Sequence, residues 1–416
     1  MRVAIVGSGI SGLMAAYVLR NTHDITIFEA NDYLGGHTHT ATVQTDDDGP
    51  LAIDTGFIVY NELAYPNFVR LLRELKIPTQ PSRMSFSVQS ARSGIEYNGD
   101  SLNTLFAQRK NVFRPSFYGM LRDIARFNNI AGNMLRDETA PDLRLSEFLA
   151  RHSFCDAFIE DHLIPMTAAV WSANPRQIGA FPVLHLARFL HNHGMLQVRN
   201  RPIWRVISGG SHTYVRALAA LFSDRIRLRT PVSAIRRHSR GVEITLAGNR
   251  VEQFERVIMA VHSDQALRLL ADPSTAERDI LAALPFQPNE VVLHTDGQMM
   301  PHSRRAWASW NYFVPRTESD CATVTYYMNM LQSLQTSANY FVSLNRTGEI
   351  DPGKILQRFR YDHPVYSHKS YAARAQWPES SGVNRTHYCG AYWGHGFHED
   401  GVRSALNVCR QLGVEW

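Results

Sequence analysis

The sequence predicts an α/β fold of about two domains, and three observations carry that reading. A short apolar run rich in β-branched residues opens the chain and passes through a glycine turn into a helix and a second strand (2–30). A further apolar strand, "VIMAV" (257–261), enters another helix. A strand, a glycine-rich turn and a helix then close the sequence at 386–413. The 416 residues exceed what one hydrophobic core usually serves.

Composition narrows the function classes. Apolar residues make up 44% and charged residues 19%, the balance of an ordinary globular chain. The net charge of +5 is carried mostly by arginine, since the lysines are Lys76, Lys110, Lys354 and Lys369. It is too small and too scattered for a nucleic-acid surface. Cys155, Cys321, Cys389 and Cys409 form no C-x-x-C pair, so free thiols in a reducing, cytoplasmic compartment are expected. The uncharged stretch 3–19 is broken by Gly7, Gly9 and Gly12 and lacks a cleavage signal. No other stretch approaches the ~20 apolar residues of a spanning helix. The expectation is a soluble protein, or one attached at most to the inner membrane face.

The opening unit is the most informative. Gly7, Gly9 and Gly12 match G-x-G-x-x-G between strand and helix. The first glycine permits the turn, the second lets backbone approach a diphosphate, and the third lets helix pack on strand. Ser11 lies in the first turn of that helix, whose free N–H groups and positive end suit phosphate. The second strand ends at Glu29 and Ala30, the acid being placed for ribose hydroxyls. Gly35 and Gly36 add another close-approach point, with His37 beside them. The runs "HTATVQT" and "LAIDTG", joined by "DDDGP", read as a hairpin ending at Thr55 and Gly56.

An acid, a GG doublet and a strand pair ending in D-x-G resemble the amino-terminal pattern of the flavin amine oxidase, protoporphyrinogen oxidase and phytoene desaturase superfamily. The resemblance implies FAD and a Rossmann-type (glutathione-reductase-like), discontinuous FAD-binding domain with an inserted mixed α+β substrate domain. The implied division is 1–64, 200–274 and 376–416 for FAD, and 65–199 with 275–375 for substrate. Residues 204–222 match the family's GG-then-helix segment, and "TPVSAI" implies backbone contact from Val232 to adenine. His262 stands where the family commonly has proline. The stretch 386–413 resembles the carboxy-terminal flavin motif. There Gly390 lets backbone lie against the ring, and a helix from about Asp400 aims its positive end at the flavin. Glu399, Asp400 and Val402 complete the implied cofactor set.

The family's chemistry is hydride removal from a substrate C–H to the flavin N5. Its amine oxidases place a lysine near that atom, but the corresponding stretch here, 286–301, has none. His294 stands there as a candidate proton acceptor, or as a histidine bonded within a sheet. Tyr392 and His398 are further candidates around the ring face. Glu399 is either a base or a cap, and Asp400 is read as a helix cap. No metal is expected, because the histidine groups at 37–39, 191–193 and 395–399 do not match H-E-x-x-H.

Phrases such as "LGGHTHT", "DTGFIVYN", "AWASWNY" and "GFHEDG" resemble bacterial FAD-binding oxidoreductases that accompany methyltransferases of the cyclopropane fatty acyl synthase kind. That resemblance implies desaturation of a hydrophobic substrate, a lipid acyl chain, with a methyltransferase as partner. A peroxide-producing amine oxidase and a non-catalytic flavin-binding partner are the competing readings. The helical pattern at 114–135, following Arg109 and Lys110, fits either a core helix or a peripheral membrane contact through 105–136.

Overall fold

In the computed structural model, which describes residues 1–45, 49–137, 139–197 and 201–416, three distant stretches of chain meet in one parallel sheet. Its five strands lie in the order Ile226–Arg227, Asp24–Phe28, Arg2–Val6, Arg256–Met259, Thr386–Tyr388. Chain order reverses between Arg2–Val6 and Arg256–Met259, and the crevice beyond the carboxyl ends of such strands is where this architecture binds ligands. The strands are short apolar runs because both faces are covered. Val3 and Ile5 pack beneath the helices Ile10–Leu19 and His398–Gln411. Ala4 and Val6 face the antiparallel meander Val232–His238, Gly241–Leu246, Val251–Phe254. Every residue of Ile10–Leu19 is buried, so the uniformly apolar opening is a core helix.

A buried charge cluster ties the late segments together. Arg237 on the meander pairs with Glu277 at 2.7 Å and with Asp272 at 2.8 Å, and Tyr388 of the last parallel strand donates to Glu277 at 2.6 Å. Burial opposes the charge on Glu277, but the guanidinium and the phenol outweigh it and hold its carboxyl below the usual range.

The inserted part is a seven-stranded sheet carrying a helical layer. Its strand order is Ile355–Pro364, Phe286–His294, Phe341–Leu344, Val324–Tyr327, Trp310–Val314, Phe86–Ser90, Glu96–Asn98. Pairing is antiparallel except between Trp310–Val314 and Phe86–Ser90. The helix Pro115–Met134 buries Phe117, Met120, Phe127 and Ala131 in this domain's core, so its apolar stripe is a core face. Among the described residues no helix is long and apolar enough to cross a membrane.

Two expectations need comment. The hairpin is present as Thr40–Val43 against Leu51–Asp54, while Asp46–Asp48 at its tip and the division at 199/200 fall outside the described residues. Helix Pro66–Glu74 places Phe68, Leu71 and Leu72 in the core of the parallel-sheet layer. By packing, the inserted domain therefore begins after this helix rather than at residue 65.

The helices Ile10–Leu19 and His398–Gln411 cross at Gly401, where an added Cβ would lie 2.7 Å from Ile10 Cγ2 and 3.0 Å from Ser11 Oγ. Gly401→Val should therefore cost about 1–3 kcal/mol by overpacking, read as a lower Tm. Combining it with Ile10→Ala should recover part of that loss; additive losses would show that the crossing is not the cause.

Candidate active site

A cavity of about 1150 Å³ runs from the glycine turn into the inserted domain. At its nucleotide end, Gly7 has φ +101° and leaves no room for a side chain, an added Cβ falling 2.6 Å from Ala260 O. Gly12 is likewise a packing glycine, its Cβ position lying 2.1 Å from Gly7 O. Gly9 differs from both. It has φ −65°, and a Cβ there meets no protein atom within 4 Å. The protein does not itself need glycine at position 9; the open space above it belongs to whatever lies in the cavity. The following helix has no side-chain cap and no acid in its first turn, so its orphan N–H groups stay free for an anion.

Glu29 is buried at the end of the second strand. One carboxylate oxygen accepts from Ser8 N–H at 3.0 Å and Ser8 Oγ–H at 2.6 Å, and the other from Asn31 N–H at 2.9 Å. Those bonds lock the carboxylate at the cavity wall and leave lone pairs for hydroxyl donors. Ser11, Ala30, Gly35, Gly36, His37, Thr55, Gly56 and Val232 also line the cavity. Added Cβ contact at Gly36 would be 3.4 Å to Gly9 Cα, so the two glycine loops touch.

The far wall comes from the carboxy-terminal stretch. Gly390, Ala391, Tyr392, Gly396, Phe397 and His398 line the cavity, and the last helix points its amino terminus there. It begins at His398, two residues before the expected start. His398 stacks on Phe57 (centroids 3.4 Å apart), and its Nε2 pairs with Thr38 Oγ1 at 3.0 Å and Tyr214 OH at 2.9 Å. Burial holds this imidazole well below its usual pKa, so it is neutral and positional. Tyr392 is buried edge-on to Phe286, which stacks on His262 with centroids 4.1 Å apart.

The inner part of the cavity lies between the seven-stranded sheet and its helices. Met84, Phe86, Met166, Val170, Trp171, Met195, Val291, Trp310, Tyr326 and Leu344 line it, with Ser82, Ser85, Tyr97 and Ser172 among them. No motif singled these out. Faint signals exist: Phe359, Tyr361 and His363 alternate with charged residues along one strand, the period-two mark of a half-buried sheet. Two neutral histidines supply polarity. His162 Nδ1 pairs with Tyr97 OH at 2.8 Å, and His193 Nδ1 pairs with Phe189 O at 2.9 Å. The carbonyl requires a proton on Nδ1 of His193, which makes Nε2 an acceptor, buried and without a protein partner. Burial lowers both imidazoles to about 4.

Several expected site residues are elsewhere. His294 is not on the cavity wall: its Nε2 pairs with Ser343 Oγ at 2.8 Å and its Nδ1 accepts from Asp296 N–H at 3.1 Å. Strand parity is the reason. Val291 and Leu293 pack toward the main core, while Val292 and His294 take the opposite face of the sheet, where Val292 meets Met299 and Ile350. Glu399 is also turned away from the cavity. It accepts from Asn67 N–H at 3.2 Å, Asn67 Nδ2 at 2.6 Å and Phe68 N–H at 3.0 Å, capping helix Pro66–Glu74 from across the fold. Asp400 accepts from the N–H groups of His395 (2.9 Å) and Phe397 (3.1 Å) and pairs with Arg403. Val402 is a core residue. Neither Asp400 nor Val402 lines the cavity, and among the described residues no cluster could hold a metal ion.

Glu399→Ala should lower stability by about 1–2 kcal/mol. His294→Ala should do so by a similar amount, through an unpartnered Ser343 and a void. Both should leave the rate of substrate-driven flavin reduction in folded protein unchanged. A tenfold slower rate at equal flavin content would return either residue to the chemistry.

The cavity fits the dinucleotide expected from the sequence: an open cradle over Gly9, an uncapped helix end, an anchored acid and a volume above the usual ~300–1,000 Å³ of a small-ligand pocket. A family profile described as flavin containing amine oxidoreductase matches residues 10–340. A protein of Mycobacterium tuberculosis, provisionally named flavin-containing monoamine oxidase AofH, is 27% identical over 288 residues. The match covers 65% of this chain and 59% of that protein, so the chain spans under two thirds of the curated relative's length. Among solved structures, cyclohexylamine oxidase from Brevibacterium oxydans IH-35A has a TM-score of 0.70 at 16% identity, covering 99% of both chains. A CLA-producing fatty acid isomerase from P. acnes also gives 0.70, at 13% identity over 99% of this chain and 98% of its own. Likeness at such identity is likeness of fold. The profile, spanning well over half the sequence and ending within the inserted domain, shows that the chain belongs to the flavin-containing amine oxidoreductase family.

Proposed function

We propose that the protein is an FAD-dependent oxidoreductase that dehydrogenates an apolar, chain-like substrate, the acyl chain of a lipid being the class that fits. The observation that carries this reading is the inner cavity wall, built from methionine, aliphatic, aromatic and neutral imidazole groups. None of the four lysines lines the cavity. Asp100 and Arg201 line it only at exposed positions, and Arg360 and Asp362 pair with each other at 3.5 Å on the edge strand. Among the described residues Asp362, whose Oδ1 is buried without a hydrogen bond, is the one half-buried carboxylate there that could face a protonated amine; the wall around Met166, Trp310 and Tyr326 offers none to offset its desolvation.

Residues Gly7–Ser11, Glu29, Gly35–His37, Val232 and Gly390–Tyr392 would hold FAD, which supplies two-electron oxidation when bound. The chain's own contribution is positional. Phe86, Trp310 and Tyr326 on three strands and Met166 and Val170 on a helix wall a water-poor slot for an extended hydrocarbon. His193 Nε2 is a fixed acceptor that can receive one hydrogen bond from a polar end of the substrate. The alternative, oxidation of an amine, draws support from family membership and from the names of the curated relative and of several structural neighbours. The same fold is also that of a fatty acid isomerase, and the apolar lining is what supports the hydrocarbon reading here.

Anaerobic mixing tests the reading directly. A long-chain fatty acid or phospholipid should bleach the flavin's visible band, whereas small primary amines should not; bleaching by amines alone would reverse the assignment. Gly9→Val should purify colourless at nearly wild-type stability, because its side chain enters only the cofactor's space; a yellow variant would show the diphosphate lies elsewhere. The cavity imidazoles also set a pH expectation. His162 and His193 are lowered to about 4, and His262 and His363 to about 3, all by burial first. Each is therefore already neutral above these values, and the reduction rate should be flat from roughly pH 6 to 9, falling only on acidification. A titration centred near 7 would demand an imidazole base.

A further inference from the structure

We propose that the cavity opens onto a membrane-docking face, centred on Leu102 and Phe113, that seats the protein on an anionic phospholipid surface. The proposal gives the apolar-substrate reading its source of substrate; its geometry stands without that reading.

On the side of the inserted domain the cavity reaches the surface at Gly99 and Asp100, both exposed and both on its wall. Asp100 pairs with Arg83 at 2.5 Å. Ser82, next to Arg83, is paired in register with Trp204, and Ser82, Ile203 and Trp204 line the cavity as well. The rim is thus continuous from Asp100 to Ile203. Immediately beyond Asp100 the chain places large apolar side chains in solvent: Leu102 is 77% exposed and Phe113 88%, with Val112 and Tyr118 partly so, and Ile203 on the rim is 69% exposed. Scattered exposed hydrophobes need no explanation, but of the four most exposed large ones among the described residues three, Phe113, Leu102 and Ile203, lie on these segments, Leu63 being the fourth.

The segment bearing them is rigidly held. Ser101 caps the short helix Leu102–Leu105 in a reciprocal bond with Thr104, Arg109 bonds Asn103 Oδ1 at 2.6 Å and Phe106 O at 2.9 Å, and Tyr118 OH donates to Val112 O at 3.0 Å. Leu102 and Phe113 are therefore held outward by a hydrogen-bonded segment. Charge selects the occupant. Residues 102–118 contain Arg109, Lys110 and Arg114 and no acid. Exposed Arg304 and Arg305 adjoin them, their turn packing on helix Leu102–Leu105. Of the nearby acids, Asp100 is paired with Arg83, and Glu96 is buried on His302 and Ser303. Exposed apolar side chains flanked by cations match an interface of acyl chains beneath anionic headgroups.

Sedimentation of the flavin-loaded protein with vesicles tests this without any turnover. Binding is expected to vesicles of phosphatidylglycerol with phosphatidylcholine, and much less to phosphatidylcholine alone or at high salt. Leu102→Ser and Phe113→Ser, both solvent-exposed and outside the cavity wall, should each weaken binding at least about tenfold, with flavin content and Tm unchanged. They should leave the anaerobic reduction rate by detergent-dispersed substrate as it is. Absence of binding to anionic vesicles, or equal binding by the double variant, would overturn the proposal. So would a change in the variants' oligomeric state without vesicle binding, which would make the face a protein interface. If vesicles bind but no lipid reduces the flavin, the docking face stands and the substrate reading falls.

Discussion

The architecture depends on one close contact, the crossing of the first and last helices where Gly401 lies against Ile10 and Ser11. Only a residue without a side chain lets the helices approach so near that both amino termini open on one cavity. Two positive helix ends converging in a poorly hydrated space would be unfavourable on their own. They become favourable once the space holds a group carrying a diphosphate and, after reduction, a negative ring. Within the protein, Asp400 partly neutralises the second helix end by accepting two backbone N–H groups and pairing with Arg403. The crossing thus explains the costly glycine- and aromatic-rich stretch near the end of the sequence: it is a wall of the site.

From that contact the rest follows in layers. The parallel sheet gathers segments more than two hundred residues apart, and the Arg237–Glu277–Tyr388 cluster fixes the late strand in place. Helix Pro66–Glu74 is drawn into the same layer because Glu399 caps it, which moves the packing boundary beyond residue 65. The inserted sheet and helices then extend the cavity as an apolar slot. Family membership accounts for the cofactor half of this cavity. It does not account for the inner half, whose lining is largely apolar.

Polar residues near the site show why motif position is a poor guide to role. Glu399 sits beside the ring-facing segment in sequence, yet its carboxylate serves Asn67 and Phe68, more than three hundred residues away. His294 lies on a strand that reaches the cavity through Val291, but it stands three positions further on, an odd step along the strand, so its ring takes the other face. His193, part of a histidine pair that matched no metal motif, turned out to hold the unpartnered acceptor inside the cavity. Its tautomer is set by a carbonyl four residues earlier, a local bond whose significance appears only once the helix is docked.

By itself, the sequence determined the nucleotide half: strand, three glycines, helix and acid are local chemistry, readable because a turn with φ above zero and an uncapped helix end require particular residues at particular spacings. It also determined that the closing stretch builds with glycine where backbone must come close. Tertiary structure alone decided which side chains face the cavity, which histidines are neutral and where the apolar mouth opens. Those properties depend on strand register, on burial and on contacts between segments hundreds of residues apart, and none of these leaves a periodic mark in the chain.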